Sequence, residues 1–383
     1  MNASPQSLVV EGWRGINHSF ALVNQFQLLE MIRRQDTVLR HVDAAFHYPH
    51  WNRAVNGAGF HAADEAALSG ISGLTGEQAD WLFRIFSPVD LRPPQHARRL
   101  AVFAVTECGL DAKYFAAGSD VGQFEASGGV LITPSEWSRN RIIDFGFRPE
   151  TVHTVPHGAS ADYFRPQSPE VIAAQRTALG FRPDEVLLLN IGAAIWNKGI
   201  DVLLQGFALA RQTRKDLRLV FKDQRNTYGI SGESFVQSTL AAAGLLSADV
   251  LGAITLIPAN LTMDQMNSIY NACDCYVSPY RAEGFNLPVY EAMACNVPVI
   301  VTSGGATDDF AEGSGARHIR STLYKNATVQ DRTIPAYCEP DLDHLVELLL
   351  QTGPKPLGAA AHPPPASIHD WRAPVDQLLA LLH

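Results

Sequence analysis

The chain has 383 residues, 46% of them hydrophobic and 18% charged, with a formal net charge of −9. That apolar content excludes bulk disorder, and the length exceeds the roughly 250–300 residues that one core supports, so two domains are expected. The mild acidity, with no basic run, argues against a nucleic-acid partner, and no apolar stretch approaches the ~20 residues of a membrane-spanning helix.

In chain order, short apolar β-type runs alternate with helix-period segments, the pattern of parallel sheets covered by helices. The N-terminus, MNASPQS, has neither a basic n-region nor a long apolar stretch, so no secretory signal is read and a cytoplasmic protein is expected. Strands are predicted at Leu8–Val10 and Val38–Phe46, with an amphipathic helix over Ser19–Arg34 between them. Asn52–Ser72, rich in Gly and Ala, reads as a loop or insertion. Further strands are predicted at Trp81–Phe86, Leu100–Val105, Gly129–Ile132 and Thr151–Val155, and Gly158–Pro169 reads as a linker. A second series follows, with strands at Val186–Ile191, Leu217–Phe221, Ile254–Ile257, Cys275–Ser278 and Val297–Val301. Its helices are predicted at Gly199–Gln212, Met263–Ala272, Pro288–Ala294 and Leu342–Leu350. Gly353–Pro365 carries five prolines and reads as a semi-rigid spacer, after which Asp370 caps a terminal helix with Trp371 in its first turn. The five cysteines, an odd number without metal-ligand spacing, read as buried apolar residues rather than as disulfides or a zinc set.

The chemistry concentrates in SPYRAEGFNLPVYEAMACNVPVIVT, residues 278–302. A strand ends at Ser278-Pro279, a loop carries Glu283 and Gly284 at its tip, and Pro288 occupies the first turn of a new helix. The amides of Phe285, Asn286 and Leu287 then belong to a helix N-terminus, equivalent to about +0.5 charge, which is an anion site. Gly284 permits close approach of the backbone to a ligand. Glu283 precedes those amides and Glu291 lies one turn inside the helix. A carboxylate on each side of an anion site suits a diphosphate with hydroxyl-bearing groups at both ends, as in a nucleotide sugar. Upstream, Ile191-Gly192-Ala193-Ala194-Ile195-Trp196-Asn197-Lys198-Gly199 followed by DVLLQGF is a strand, a turn and a helix, and puts Lys198 at a helix start as a point charge for phosphate. Lys222 at the next strand end either meets phosphate or stands exposed.

Two glutamates with seven residues between them, in E-G-F-N-L-P…E-A-M-A-C-N-V-P-V-I, resemble the signature of retaining GT-B glycosyltransferases of the family 4, or group 1, type. The Gly192…Asn197-Lys198-Gly199 turn and the ITPSEWS…VHTVPHGASADYFRP run are similar to that family's donor turn and to the end of its first domain. The resemblance implies an α/β fold of two Rossmann-like domains facing across a deep crevice, with a C-terminal helix crossing back to the first. The expected domains are 1–165 on the acceptor side, 166–352 on the donor side, and 353–383 as spacer and crossover helix. It implies a metal-independent, hexosyltransferase-like enzyme that moves a sugar from a UDP- or GDP-linked donor to an acceptor hydroxyl with retention, with no further cofactor, in bacterial glycan or glycoconjugate synthesis.

On that resemblance Glu283 contacts the donor sugar, Glu291 holds the ribose, and Gly192, Asn197, Lys198 and the Gly284–Leu287 backbone bind the diphosphate and sugar. Glu283 and Lys198 are the catalytic pair. The arginine that often follows the strand-end glycine is replaced by Ala193, which shifts the phosphate charge onto Lys198. Base recognition falls near Pro258–Leu261. VVEGWRGINHSFALVNQ, LFRIFSPVDLRPP and AVFAVTECGLD resemble a subgroup's first-domain strand ends and bring in Asn17, His18 and Glu107 as acceptor or sugar contacts. Each has a plainer reading: Asn17 or Ser19 as a helix cap, Glu107 as an arginine's partner, and His157 as a hinge residue. Asp341-Leu342-Asp343 reads as a helix cap rather than a metal motif, and Thr307 as another cap behind Gly304-Gly305. The partners implied are the nucleotide sugar and a glycan, lipid-linked or small-molecule acceptor, with a peripheral contact at the inner membrane face. The alternatives are a GT-B epimerase or phosphorylase, or a non-catalytic nucleotide-sugar-binding protein.

Overall fold

The computed structural model describes residues 6–355 and 365–383. Most of the proline-rich spacer expected at 353–365 lies outside the described residues. The chain divides into two compact units, Met1–Ser160 with His369–His383, and Ala161–Ile368.

The first unit is built on β1 (Gln6–Gly12), α1 (Ser19–Arg34), β2 (Thr37–Asp43), α2 (Arg53–Asn56), α3 (Ala62–Ser69), β3 (Ala79–Ile85), β4 (Ala97–Phe103), α4 (Val121–Ala126), β5 (Val130–Thr133), α5 (Glu136–Phe145) and β6 (Val152–Thr154). The six strands form one parallel sheet in the order β2-β1-β3-β4-β5-β6. The inner strands β1, β3 and β5 are largely buried and read as near-continuous apolar runs, whereas the edge strands β2 and β6 are only partly buried. Two expectations are corrected here. The segment expected as a loop at 52–72 contains α2 and α3, because Ala-rich AADEAALS favours a helix once Leu68 is buried. The strand expected to reach Phe46 stops at Asp43, whose carboxylate takes bidentate hydrogen bonds from Arg14.

The second unit comprises α6 (Pro169–Ala178), β7 (Val186–Ile191), α7 (Ile200–Thr213), β8 (Leu217–Lys222), α8 (Arg225–Tyr228), α9 (Gly232–Ala242), α10 (Ala248–Leu251), β9 (Ile254–Ile257), α11 (Met263–Ala272), β10 (Cys275–Ser278), α12 (Leu287–Ala294), β11 (Val299–Thr302), α13 (Asp308–Ala311), β12 (Arg317–Ile319), the hairpin β13 (Ser321–Val329) and β14 (Arg332–Pro340), and α14 (Leu342–Leu350). Its parallel sheet runs β12-β11-β10-β7-β8-β9. The chain proceeds outward from β7 through β8 to β9, then returns to the other side of β7 with β10. That reversal makes the carboxyl ends of β7 and β10 the ligand-binding position of a doubly wound sheet. Asn190 Nδ2 donates to the Val277 carbonyl at 2.7 Å and ties these two strands.

The linker predicted at Gly158–Pro169 is irregular only to Ser168, which caps α6 with Pro169 in the first turn. The antiparallel hairpin β13–β14 was not legible as a separate sheet. Asp341 caps α14 by accepting from the His344 N–H, as expected. Thr307 precedes α13 but makes no side-chain cap; its hydroxyl bonds Tyr280 Oη at 2.7 Å. The five cysteines stand as thiols outside any disulfide, and four are buried. Burial pushes the Cys273 thiol up to about 12 and that of Cys275 to about 11, so both stay protonated. Among the described residues no helix is long and apolar enough to cross a membrane.

The last helix, α15 (Arg372–Leu382), belongs to the first unit. Asp370 accepts from the Arg372 N–H, while the cap position itself is Trp371. The Trp371 indole stacks on Phe26 at 5.4 Å and 9°. A Cβ at Gly158 would lie 2.6 Å from the Trp371 backbone, so only glycine fits there. The Ala159 N–H donates to the His369 carbonyl at 2.9 Å, and Gln377 donates to that of Thr154 at 2.8 Å. Because Trp371 is 3% exposed, Trp371→Ala is expected to cost about 3–5 kcal/mol. Urea denaturation of the full chain, followed by a first-unit probe, checks this; a loss below about 1 kcal/mol contradicts the packing described.

Candidate functional site

The strongest cluster lies at the carboxyl ends of β7 and β10. After β7, Gly192 leads into a 3-10 turn over Trp196–Lys198, closed by Gly199 at φ 64°. After β10, the loop Pro279–Asn286 leads into α12. The two connections touch at their backbones. A Cβ on Gly199 would lie 1.8 Å from the Pro279 carbonyl oxygen, so both the positive φ and the close approach require glycine. The Asn197 carbonyl accepts from the N–H groups of Arg281 and Ala282, at 2.8 and 3.1 Å. Asn197 Nδ2 returns a bond to the Ala282 carbonyl at 3.3 Å.

Arg281 locks the contact. Its guanidinium makes a bidentate pair with Asp201 at 2.7 and 2.8 Å, donates to the Trp196 carbonyl at 3.0 Å, and reaches Glu339 at 2.7 Å. A rigid fork between two carboxylates and a carbonyl is a role lysine cannot fill. The sequence reading missed this residue; its signal was an arginine two positions before Glu283 facing an aspartate in the first turn of α7. From the hairpin, Tyr337 adds an edge contact to Trp196 at 4.9 Å.

The consequence is that Lys198 Nζ donates to Glu283 Oε1 at 2.6 Å, with the carboxylate nearly buried and the lysine about a quarter exposed. The expected phosphate lysine and sugar carboxylate are thus one ion pair. The Lys198 stem lies about 3.9 Å from the position a Cβ on Gly192 would take.

Beyond Glu283, Asn286 adopts the left-handed conformation, φ 76°, at the N-cap of α12, and no side chain caps that N-terminus. Its Nδ2 donates instead to Ser278 Oγ at 3.0 Å, bracing the helix start against β10. Phe285 packs on Tyr290 and Phe310 at 5.2 and 5.0 Å. Glu291, one turn inside, is buried and accepts from Tyr270 Oη at 2.6 Å. Burial raises its carboxyl to about 7, against the lowering effect of the Tyr270 bond. The hydroxyl of Tyr276, beside them, accepts from the Ile191 N–H and donates to the Ile191 carbonyl, both at 3.2 Å.

The remaining candidates lie in the first unit. His18, not Asn17 or Ser19, is the N-cap of α1: its Nδ1 accepts from the Phe20 N–H at 3.3 Å, and its ring sits 5.0–5.8 Å from Trp13, Trp51 and Phe20. Asn17 is half-buried in the connection after β1. Glu107 is exposed after β4, its carbonyl accepting from Trp137 Nε1 at 2.6 Å. His157 is buried between Phe103 and Trp371, where desolvation lowers its imidazole to about 3 and keeps it neutral. Among the described residues no group of three or more His, Cys, Asp or Glu side chains is placed to hold a metal.

The raised carboxyl of Glu291 has a sign. Its folded value, about 7, lies above its ordinary 4.5. Its stabilising effect is therefore fully present below about 4.5 and is lost as pH rises through about 7, amounting to roughly 3 kcal/mol. Glu291→Gln is expected to match wild type near pH 4.5 and to exceed it in stability progressively up to pH 8. Denaturation curves at both pH values check this; an equal difference at both would refute the buried carboxyl.

With the geometry described, likeness to known proteins can be placed on it. Residues 171–316, spanning both strand-end connections, match the family described as glycosyl transferases group 1. The D-inositol 3-phosphate glycosyltransferase of Segniliparus rotundus is 30% identical over 157 residues, which are 41% of this chain and 33% of that protein. The chain spans about a third of the length of the first curated relatives it matches. Among solved structures, a glycosyltransferase from Rickettsia africae has a TM-score of 0.66 at 11% identity and covers 98% of each chain. The Anabaena protein HepE, crystallised with UDP and glucose, has a TM-score of 0.56 at 13% identity over 90% of this chain and 89% of its own. At such identities the likeness is one of fold, two Rossmann-like units in one chain, which is the GT-B fold. Over residues 171–316, within its second unit, the chain is similar to the glycosyl transferases group 1 family.

Proposed function

We propose that this protein is a glycosyltransferase that moves a sugar from a nucleotide-diphosphate donor to an acceptor hydroxyl with retention of anomeric configuration. The observation that carries the reading is the Lys198–Glu283 pair, 2.6 Å apart at the switch point of the second sheet and directly ahead of the α12 N-terminus. A cation, a helix N-terminus and a carboxylate in that order match a diphosphate joined to a hydroxylated ring.

Donor binding divides along that line. Lys198 and the Gly284–Leu287 backbone meet the diphosphate, with Gly192 and Asn197 shaping the turn. Glu283 accepts from sugar hydroxyls, and Glu291 takes the ribose. The paired state of Lys198 and Glu283 keeps the nearly buried carboxylate compensated before a donor arrives. When diphosphate enters, the ammonium is shared between carboxylate and phosphate, and Glu283 is held facing the sugar. As the glycosidic C–O bond breaks, charge grows on the leaving phosphate oxygen. Preorganised donors at that oxygen act where charge develops, usually the largest single catalytic effect. The acceptor hydroxyl attacks from the face the phosphate leaves, and that oxygen takes its proton, which gives retention without a side-chain base. We assign acceptor recognition to the first unit, whose strand-end connections carry Asn17, His18 and Glu107.

The roles separate in one experiment. UDP- and GDP-linked hexoses are incubated with an acceptor panel, donor consumption and the product anomer are read by proton NMR, and UDP and GDP binding is measured by calorimetry. Glu283→Ala is expected to lower transfer at least 100-fold, while nucleoside diphosphate affinity stays within about threefold because Lys198 remains. Near wild-type turnover in that variant, or an inverted product, would sink the assignment.

A further inference from the structure

Lys222 is the last residue of β8 and is 2% exposed. The ammonium donates to the Asp223 carbonyl, and among the described residues no carboxylate forms an ion pair with it. The charge of Asp223 favours the ammonium, against the burial that lowers its pKa. The Asp223 carboxylate is engaged elsewhere, accepting from the N–H groups of Arg225 and Gly232 at 3.2 and 3.0 Å. A buried ammonium with one neutral acceptor is costly, and an arrangement of this kind is completed by an anion.

Its place in the sheet says which anion. In the parallel ladder Lys222 pairs with Ile191 on one side and with Ile257 on the other. Its carbonyl accepts from the Gly192 N–H at 3.1 Å. Residues in register on neighbouring strands share a face, so Lys222 stands on the same face as Ile191 and Ile257, at the carboxyl end of the sheet. The Lys198 stem runs over the same Gly192, and the Tyr276 hydroxyl that caps Ile191 lies within the field of Glu283 and Glu291. Two lysines thus lie on strand-end segments that meet at Gly192, one salt-bridged to Glu283 and one that forms no ion pair among the described residues. The residue that follows Gly192 is Ala193, which carries no charge.

We propose that the Lys222 ammonium is a second cationic contact for the diphosphate of the donor, supplying from the end of β8 the charge that Ala193 does not supply from the end of β7. The proposal rests on the nucleotide-sugar reading above and adds a residue to it. A diphosphate carries at least two negative charges, and Lys198 arrives already half-neutralised by Glu283. Lys222 contributes a charge that no ion pair among the described residues has to give up.

The test compares nucleoside and nucleoside diphosphate binding by calorimetry, using uridine, UDP, guanosine and GDP on the full chain, with wild type and Lys222→Met. Methionine keeps the stem and removes the charge; should it prevent folding, Lys222→Gln keeps a donor for the Asp223 carbonyl and gives the same reading. The expected result is a roughly 10- to 100-fold loss of diphosphate affinity with nucleoside affinity unchanged, the scale of one charge-assisted hydrogen bond. Equal diphosphate affinity in variant and wild type overturns the proposal. So does a parallel loss for nucleoside and diphosphate, which would put the ammonium on the base. Wild type that binds neither UDP nor GDP removes the nucleotide-sugar reading itself, a result seen on the unmutated chain and so distinct from failure of Lys222 alone.

Discussion

The carbonyl oxygen of Pro279 occupies the space where a side chain at Gly199 would begin, 1.8 Å from the ideal Cβ. This one backbone contact draws the connection after β7 against the connection after β10. From it follow the two bonds to the Asn197 carbonyl and the Arg281 fork between Asp201 and Glu339. The Lys198–Glu283 ion pair follows in turn. Two loops 85 residues apart in the chain behave as one rigid piece because a side-chain-free position and a planar guanidinium hold them. Rigid placement matters here, since binding and catalytic groups act through sub-ångström geometry.

The electrostatics of that piece are balanced rather than strongly positive. Lys198 is compensated by Glu283 and Arg281 by two carboxylates. Among the described residues, anion-attracting elements beside them are the α12 N-terminus, whose N-cap side chain makes no cap bond, and Lys222, which forms no ion pair. On the proposed reading, a chain of net charge −9 thus receives a phosphate-bearing ligand through a few local elements. Glu291 and Tyr270 form a second, buried acid pair on α12 and α11, where dehydration rather than a neighbouring cation decides the protonation.

The hairpin β13–β14 adds to the doubly wound layout of the second unit. It follows β12 after the family match has ended at residue 316, and it reaches back through Tyr337 to Trp196 and through Glu339 to Arg281. It thus braces the lysine-bearing turn from outside. Its strand Ser321–Val329 is polar and largely exposed, and Arg332–Pro340 is buried only toward its end, at Ala336–Cys338 and Pro340, so the pair carries little apolar periodicity to announce it.

Much was legible from residues alone. The strands Val186–Ile191, Ile254–Ile257 and Cys275–Ser278 and the helices Ser19–Arg34, Met263–Ala272 and Leu342–Leu350 stand where the apolar runs and caps put them, because apolar parallel strands, buried or half-buried, and amphipathic helices write their burial into the local pattern. The order E-G-F-N-L-P with Glu291 beyond it likewise announced a helix N-terminus between two carboxylates. Long-range choices were not legible. Nothing local shows that Lys198 spends its charge on Glu283, that His18 caps its own helix, that Arg281 ties Asp201 to Glu339, or that Lys222 is buried rather than exposed. Those outcomes depend on which strand ends lie side by side, and the order β10-β7-β8 sets that only when the sheet is assembled. The sequence determined the residue types and their secondary structure through local periodicity; the tertiary fold decided their partners, because ion pairing and burial depend on distances between segments far apart in the chain.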